Sequence, residues 1–151
     1  MSHSAASPTR PQERITVAAA VIERHDAFLL TRRLAGTHLA GHWEFPGGKC
    51  EPGEALPACL LRELDEELGC SAHVHECLLS TTHAYQTRIV DLHFYRCELL
   101  NEPQPRLGQQ MRWIPRHELR TLPLPPADAA LIEILQERGA REQSRPRSLD
   151  P

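Results

Sequence analysis

The chain has no surplus of positive charge: 17 Lys and Arg stand against 20 Asp and Glu, for a formal net charge of −3. A protein that coats a nucleic-acid polymer needs a basic stripe, so that class is excluded, although a local basic pocket for a single nucleotide is not. No apolar run approaches the roughly 20 residues of a membrane span, so no membrane partner is expected. The segment Met1–Glu13 is polar, contains Pro8 and Pro11 and lacks an apolar core. It does not read as a secretory signal, and the expected location is the cytoplasm. None of the five cysteines, Cys50, Cys59, Cys70, Cys77 and Cys97, belongs to a C-x-x-C pair. Their odd number and scattered spacing predict reduced thiols, most of them buried as small hydrophobes, and no zinc site. No internal repeat is visible. With 151 residues, 40% hydrophobic and 25% charged, the chain is sized for one domain with a substantial core.

What the chain does have is a run of acidic residues, Glu63, Glu66 and Glu67, within one turn of a predicted helix. At roughly 100° per residue, Glu66 lies about 60° to one side of Glu63 and Glu67 about 40° to the other. Like charges at these spacings repel and destabilise an isolated helix. A divalent cation removes that penalty, and carboxylate oxygens are the donors that hard Mg²⁺ or Mn²⁺ prefer, usually alongside substrate phosphates. The plain alternative is a solvated helix face with an i,i+4 ion pair between Arg62 and Glu66.

The chain around this helix reads as follows. Residues 1–13 form a flexible lead. Ile15–Ile22 is an apolar, β-branched strand, His25-Asp26 a turn, and Ala27–Thr31 the returning strand. Residues 34–42 are a loop, and Trp43–Phe45 a short strand ended by Pro46-Gly47-Gly48. A helix is predicted over Ala55–Leu68, with Pro57 tolerated in its first turn, Leu56, Leu60, Leu64 and Leu68 facing the core, and Gly69 as a left-handed cap. Strands follow at His73–Thr82, Ile89–Leu99 and Met111–Ile114, then a short helix from Pro115 to Leu119. A second amphipathic helix spans Ala127–Arg138, with Leu131, Ile134 and Leu135 inward. Residues 139–151 read as a flexible tail. Helices among mixed strands give an α/β class with a mixed sheet between helices.

The segment Gly48–Cys70 resembles the Nudix box, G-x5-E-x7-R-E-U-x-E-E-x-G-U with U bulky and aliphatic. Gly48, Glu54, Arg62, Glu63, Leu64, Glu66, Glu67 and Gly69 fit it, and only Cys70 departs, at the last aliphatic position. Thr31-Arg32-Arg33, Trp43–Lys49 and Leu124-Pro125-Pro126-Ala127-Asp128 are similar to the MutT branch of that family. The likeness covers residues 14–138. It implies the α/β/α Nudix sandwich and a Mg²⁺-dependent pyrophosphohydrolase, with Mn²⁺ as the other suitable ion. The substrate would be a (d)NTP, cut to NMP and pyrophosphate, and the role would be removal of an oxidised or non-standard nucleotide from the pool.

By the same resemblance, Glu63, Glu66 and Glu67 are the metal ligands, joined by the Gly47 carbonyl. Arg62 orients a glutamate through charge-assisted hydrogen bonds. Glu54, nine residues before Glu63, would face away on a continuous helix and reaches the site only from the preceding turn. Many MutT relatives carry a glutamate where this chain has Leu107, in Leu107-Gly108-Gln109-Gln110, so the general base is left among Glu63, Glu67 and Glu102, with Gln109 as a holder of water. Arg33, Arg88 and Lys49 are candidates for the substrate's phosphates or sugar, or else exposed cations on loop edges. MutT proteins selecting 8-oxoguanine have asparagine where this chain has Asp128. An ionised aspartate only accepts, which suits the amine of cytosine or the N1–H and amine of guanine. Asp128 is equally a natural helix N-cap. Trp43 and Phe45 are expected in the core, and Trp113 in the core rather than on a base. Two rival functions remain: hydrolysis of ADP-ribose or another nucleoside diphosphate derivative, and a non-catalytic Nudix-like nucleotide- or lesion-binding module. No oligomeric state follows from the sequence.

Overall fold

A computed structural model of the protein describes residues 13–144. Seven strands and two α-helices follow one another: β1 Glu13–Arg24, β2 Ala27–Arg32, β3 Trp43–Glu44, β4 Gly47–Lys49, α1 Leu56–Leu68, β5 Ala72–Ala84, β6 Arg88–Leu99, β7 Met111–Pro115 and α2 Ala129–Ser144. Two short 3₁₀ turns, Arg116–Thr121 and Pro126–Asp128, precede α2. The expected elements are all present, with bounds shifted by a few residues. Of the expected flexible ends, residues 1–12 and 145–151 lie outside the described residues. Glu13 already opens β1, and α2 continues past Arg138 to Ser144.

The sheet is mixed. Its order is β3-β2-β1-β6-β5, with β4 added to β1 and β7 to β2. Strand β1 runs parallel to β6 from Glu13↔Arg88 to Ile22↔Cys97, and the other pairings are antiparallel. Because side chains alternate along β1, its two faces feed two cores. Ala18, Ala20 and Ile22 pack with Leu60, Leu64 and Leu68 of α1, whereas Ala19 and Val21 pack with Phe28, Phe94, Leu131 and Leu135 on the α2 side. Every strand residue is therefore apolar from Ala18 to Ile22, as expected for a strand covered on both faces. This is the α/β/α sandwich.

Local signals explain the joints. His25 and Asp26 both take positive φ, 50° and 62°, closing the β1–β2 hairpin in a two-residue turn that usually wants Asn or Gly. The buried Arg116 holds that turn twice: its guanidinium Nε donates to Asp26 Oδ1 at 2.8 Å, and its backbone N–H donates to the Asp26 carbonyl at 3.0 Å. Helix α1 starts after Ala55 with no side-chain cap, tolerates Pro57, and ends at Gly69, whose φ of 58° lets its N–H bond the Asp65 carbonyl. On α2 the inward residues are Leu131, Ile132 and Leu135, and Ile134 is only partly buried. The stripe continues through Gly139 under Arg116, so the face that meets the sheet lies to one side of Ile134.

The cysteines correct the sequence expectation. Cys50 and Cys59 are joined as a disulfide, with Cα atoms 5.3 Å apart, while Cys70, Cys77 and Cys97 are free. Nine positions of separation carry no signal of this pairing. The turn after β4 doubles back beneath the first turn of α1 and brings the two sulfurs together. No helix among the described residues is long and apolar enough to cross a membrane.

Candidate active site

Strand β4 and helix α1 assemble the turn that carries the candidate site. Ladder pairs Val17↔Lys49, Ala18↔Gly48 and Ala19↔Gly47 lay the glycines flat on β1, and the chain then loops through Glu51–Glu54 into α1. A side chain at Gly48 would overlap the carboxylate of Glu63, so the glycine is the space in which that carboxylate sits. Leu60, Leu64 and Leu68 are fully buried, which fixes the roll of α1 and turns Glu63 and Glu67 into a cleft.

Arg62 is the hub of this end. Its Nε and Nη2 grip the two oxygens of Glu54, each at 2.8 Å, and Nη1 reaches Glu63 at 2.9 Å and Glu66 at 3.4 Å. A further bond from Nη2 to the Lys49 carbonyl, at 3.1 Å, ties helix to turn. Glu54 thus reaches the cluster from the turn, and its carboxyl is drawn down to a pKa of about 2 by Arg62 and then by the Glu51 N–H. Glu67 shows the opposite behaviour. Burial, then the nearby Glu63 and Glu44 carboxylates, push it up to about 8, partly offset by the Gly47 N–H. A buried carboxyl beside two others is a poor anion and a good cation ligand, so this oxygen-only donor set fits a hard divalent ion. Glu63 and Glu67 line the cleft together with Gly47 and Gly48. Glu66 stands on the solvent side, 57% exposed and held by Arg62, outside that lining.

The cleft has a volume of about 390 Å³ and runs from these glutamates to Asp128. Arg33, Lys49 and Arg88 all line it. Lys49 is paired loosely with Glu13 at 3.5 Å. Arg33 is already engaged: Nη1 meets Glu44 at 2.7 Å, and Nε donates to the His38 carbonyl. Its position serves Glu44 and the 34–42 loop as much as any ligand. Asp128 is buried at the far end, and no side-chain hydrogen bond caps the 3₁₀ turn it occupies. Burial first, and then Glu44, lift its carboxyl to about 7.

Sequence reasoning missed Glu44, His38 and Tyr85. Glu44 sits between the buried Trp43 and Phe45 on a two-residue strand, and burial raises its carboxyl against the lowering effect of Arg33. Its one sequence signal was a charge flanked by two core aromatics. Tyr85, on the β5–β6 bend, packs edge-on against His38 and also against His83 at the mouth. Phe45 is in the core as expected but also forms part of the cleft wall. Other candidates fall away. Glu102 pairs with Arg24 at 3.1 Å and is not part of the cleft wall. Leu107 is exposed, and Gln109 bonds the Glu67 carbonyl and the Leu107 N–H, fastening its loop to the end of α1. Trp113 lies under Arg24, 4.6 Å from its guanidinium carbon, and does not line the cleft.

A mixed sheet between helices, with a glycine turn and a glutamate-rich helix opening on a nucleotide-sized cleft, defines the Nudix class of fold and site. Residues 17–134 match the model of the NUDIX domain, and the chain belongs to that family, among its MutT-like hydrolases. It is 41% identical over 129 residues to the CTP pyrophosphohydrolase of Escherichia coli (strain K12), covering 84% of this chain and 96% of that one. It is 40% identical over 123 residues to the 8-oxo-dGTP diphosphatase of Haemophilus influenzae, covering 80% and 90%. Among solved structures, the E. coli ORF135 protein superposes with a TM-score of 0.73 at 38% identity, over 91% of this chain and 96% of that one. The MutT protein of Methanosarcina mazei has the same TM-score at 22% identity and so shares the fold.

Proposed function

We propose that the protein is a divalent-cation-dependent pyrophosphohydrolase that cuts a nucleoside triphosphate to the monophosphate and pyrophosphate, with cytosine as its preferred base. The observation that carries this reading is one cleft joining buried catalytic-type carboxylates at one end to Asp128 at the other. Water adds at phosphorus, an anhydride P–O bond breaks, and the proton released passes to the Glu63–Glu67 pair. Mg²⁺, or Mn²⁺ in its place, neutralises phosphate charge and lowers the pKa of the attacking water when bound. Glu63 and Glu67, with Glu66 from the solvent side and the Gly47 carbonyl, would hold that ion. Arg62 and Glu54 keep Glu63 in one orientation, so neither has to touch substrate. Lys49 and Arg88 face the phosphates and sugar as positive charges, and Arg33 supports them by holding Glu44.

Asp128 supports the base assignment. A carboxyl with a pKa of about 7 is available in its protonated form near neutrality. It then offers an O–H to N3 of cytosine and a carbonyl oxygen to the N4 amine. An edge with donor and acceptor exchanged is met by exchanging the two oxygens, so the choice of cytosine among bases is supported by the 41% identity to a relative named CTP pyrophosphohydrolase. Oxidised guanine is the second reading, because its N7–H and O6 present a donor and an acceptor side by side, and a relative 40% identical is named an 8-oxo-dGTP diphosphatase. The test is pyrophosphate release with Mg²⁺ across CTP, dCTP, UTP, GTP and 8-oxo-dGTP, compared by kcat/KM. Silence against every triphosphate would leave a binding module as the better account.

A further inference from the structure

We propose that Cys50 and Cys59 form a reversible oxidative-modification site whose state sets the position of Glu54 and, through Arg62, the rate of hydrolysis. The inference rests on the hydrolase reading above and adds a chemical control to the same turn. The bond closes the ten-residue segment from Cys50 to Cys59, which contains Glu54 and the whole β4–α1 turn. The two sulfurs and a Glu54 carboxylate oxygen all lie within 4.8 Å of one another. Cys59 Sγ also stands 3.8 Å from the Gly48 carbonyl, on the strand that carries the catalytic glycines. Arg62 bonds Glu54 on one side of this knot and the Lys49 carbonyl, next to Cys50, on the other. The covalent link is therefore part of the frame that aims Glu63.

Breaking the link has a defined mechanical result. Non-bonded sulfurs stand roughly 1.5 Å farther apart than bonded ones. On the helix side there is no room, because Cys59, Leu60 and Leu64 are fully buried against Ala18 and Ala20. On the turn side Glu51, Pro52 and Gly53 are exposed, and Cys50, buried at the edge of the α1 core, is tied to β1 by its N–H bond to the Thr16 carbonyl at 2.8 Å. The displacement falls on the turn, moves Glu54 away from Arg62, and loosens the hold on Glu63. A shift of this size at a positioning group costs about tenfold in rate.

Access and electron balance fit thiol–disulfide exchange. Cys50 is 7% exposed and Cys59 fully buried, so an incoming thiolate attacks Cys50 Sγ. Cys59 leaves as thiolate and takes a proton. The second thiol of a dithiol reductant then closes on its own mixed disulfide and releases Cys50. One dithiol becomes one disulfide as one protein disulfide becomes two thiols. Glutathione disulfide, as a disulfide oxidant, runs the exchange in reverse.

The test compares full-length protein treated with dithiothreitol or with glutathione disulfide, each freed of reagent. Free thiols are titrated to verify conversion. The expected result is a kcat about tenfold lower in the reduced form, with KM for CTP nearly unchanged, and faster amide hydrogen exchange at residues 50–54. Cys50→Ala and Cys59→Ala lack both the bond and the second sulfur, so each should show one rate whichever reagent is used, and a reagent-dependent rate in either would overturn the inference. Equal rates and equal exchange in two forms that differ by two titratable thiols would overturn the inference and leave the hydrolase reading intact. If neither form hydrolyses any triphosphate, the hydrolase reading fails instead, and exchange at residues 50–54 alone decides whether the bond controls the turn.

Discussion

The two ends of the cleft handle acidic side chains in opposite ways. At the α1 end, Glu54, Glu63 and Glu66 share one arginine, and Glu54 stays ionised to a pKa of about 2. At the far end, Asp128 is buried with only Glu44 as a charged influence, and its carboxyl sits near 7. Glu67 lies between them and is raised to about 8. A fixed charge set suits a cation and a polyphosphate, where geometry must not drift. A carboxyl able to keep its proton suits a base edge that presents a donor next to an acceptor. The same residue chemistry is held in two states, drawn down where Arg62 grips Glu54 and raised where burial dominates at Asp128.

The strongest test of this contrast is Glu67→Gln. The amide keeps the shape but removes the ligand charge, so kcat should fall by about a thousandfold. The variant should melt at or above the wild-type temperature, since it relieves repulsion from Glu63 and Glu44. A large loss of activity with a lower Tm would mean that Glu67 is structural. Next in size, Arg62→Met should cut kcat by about 10- to 100-fold and lower Tm, because Glu54 and Glu63 lose their shared partner. Its ratio of kcat/KM for CTP over UTP should not move. If that ratio collapses, the two ends are not independent. Asp128→Ala should give the reverse pattern, with KM for CTP raised about 10- to 100-fold and kcat little changed. A fall in kcat with KM unchanged would remove Asp128 from base reading.

The smallest effect concerns stability. The folded pKa of Asp128, about 7, lies above its ordinary value of 3.8, so its contribution is fully present below about pH 4 and is lost as pH rises through 7. Asp128→Asn carries no such loss. Its Tm should gain on wild type by about 5–10 °C between pH 5 and pH 8. A constant difference across that range would show that Asp128 ionises freely in the folded protein.

The carboxylate end was legible in the sequence because it is local. Gly48, Glu54, Arg62, Glu63 and Glu67 fall on one turn and one helix, where spacing translates directly into direction. The leucine stripe of α1 told which way the helix rolls, and the structure agrees at Leu60, Leu64 and Leu68. The base end was only half legible. Asp128 could be singled out, but its choice between capping and base reading depended on a burial that spacing does not reveal. Glu44, His38 and Tyr85 come from three separate segments and meet only when β3, the 34–42 loop and the β5–β6 bend converge. Arg33 looked like a free cation until the fold placed Glu44 against it.

By itself the sequence determined the family, the element order and the charge carried by α1, since periodicity, glycine placement and helical spacing are properties of contiguous chain. Tertiary structure alone decided which acids keep their protons, which cysteines meet and which arginines are occupied. Those outcomes depend on distance and desolvation among residues far apart in the chain, and both are set only when the sheet closes between its two helices.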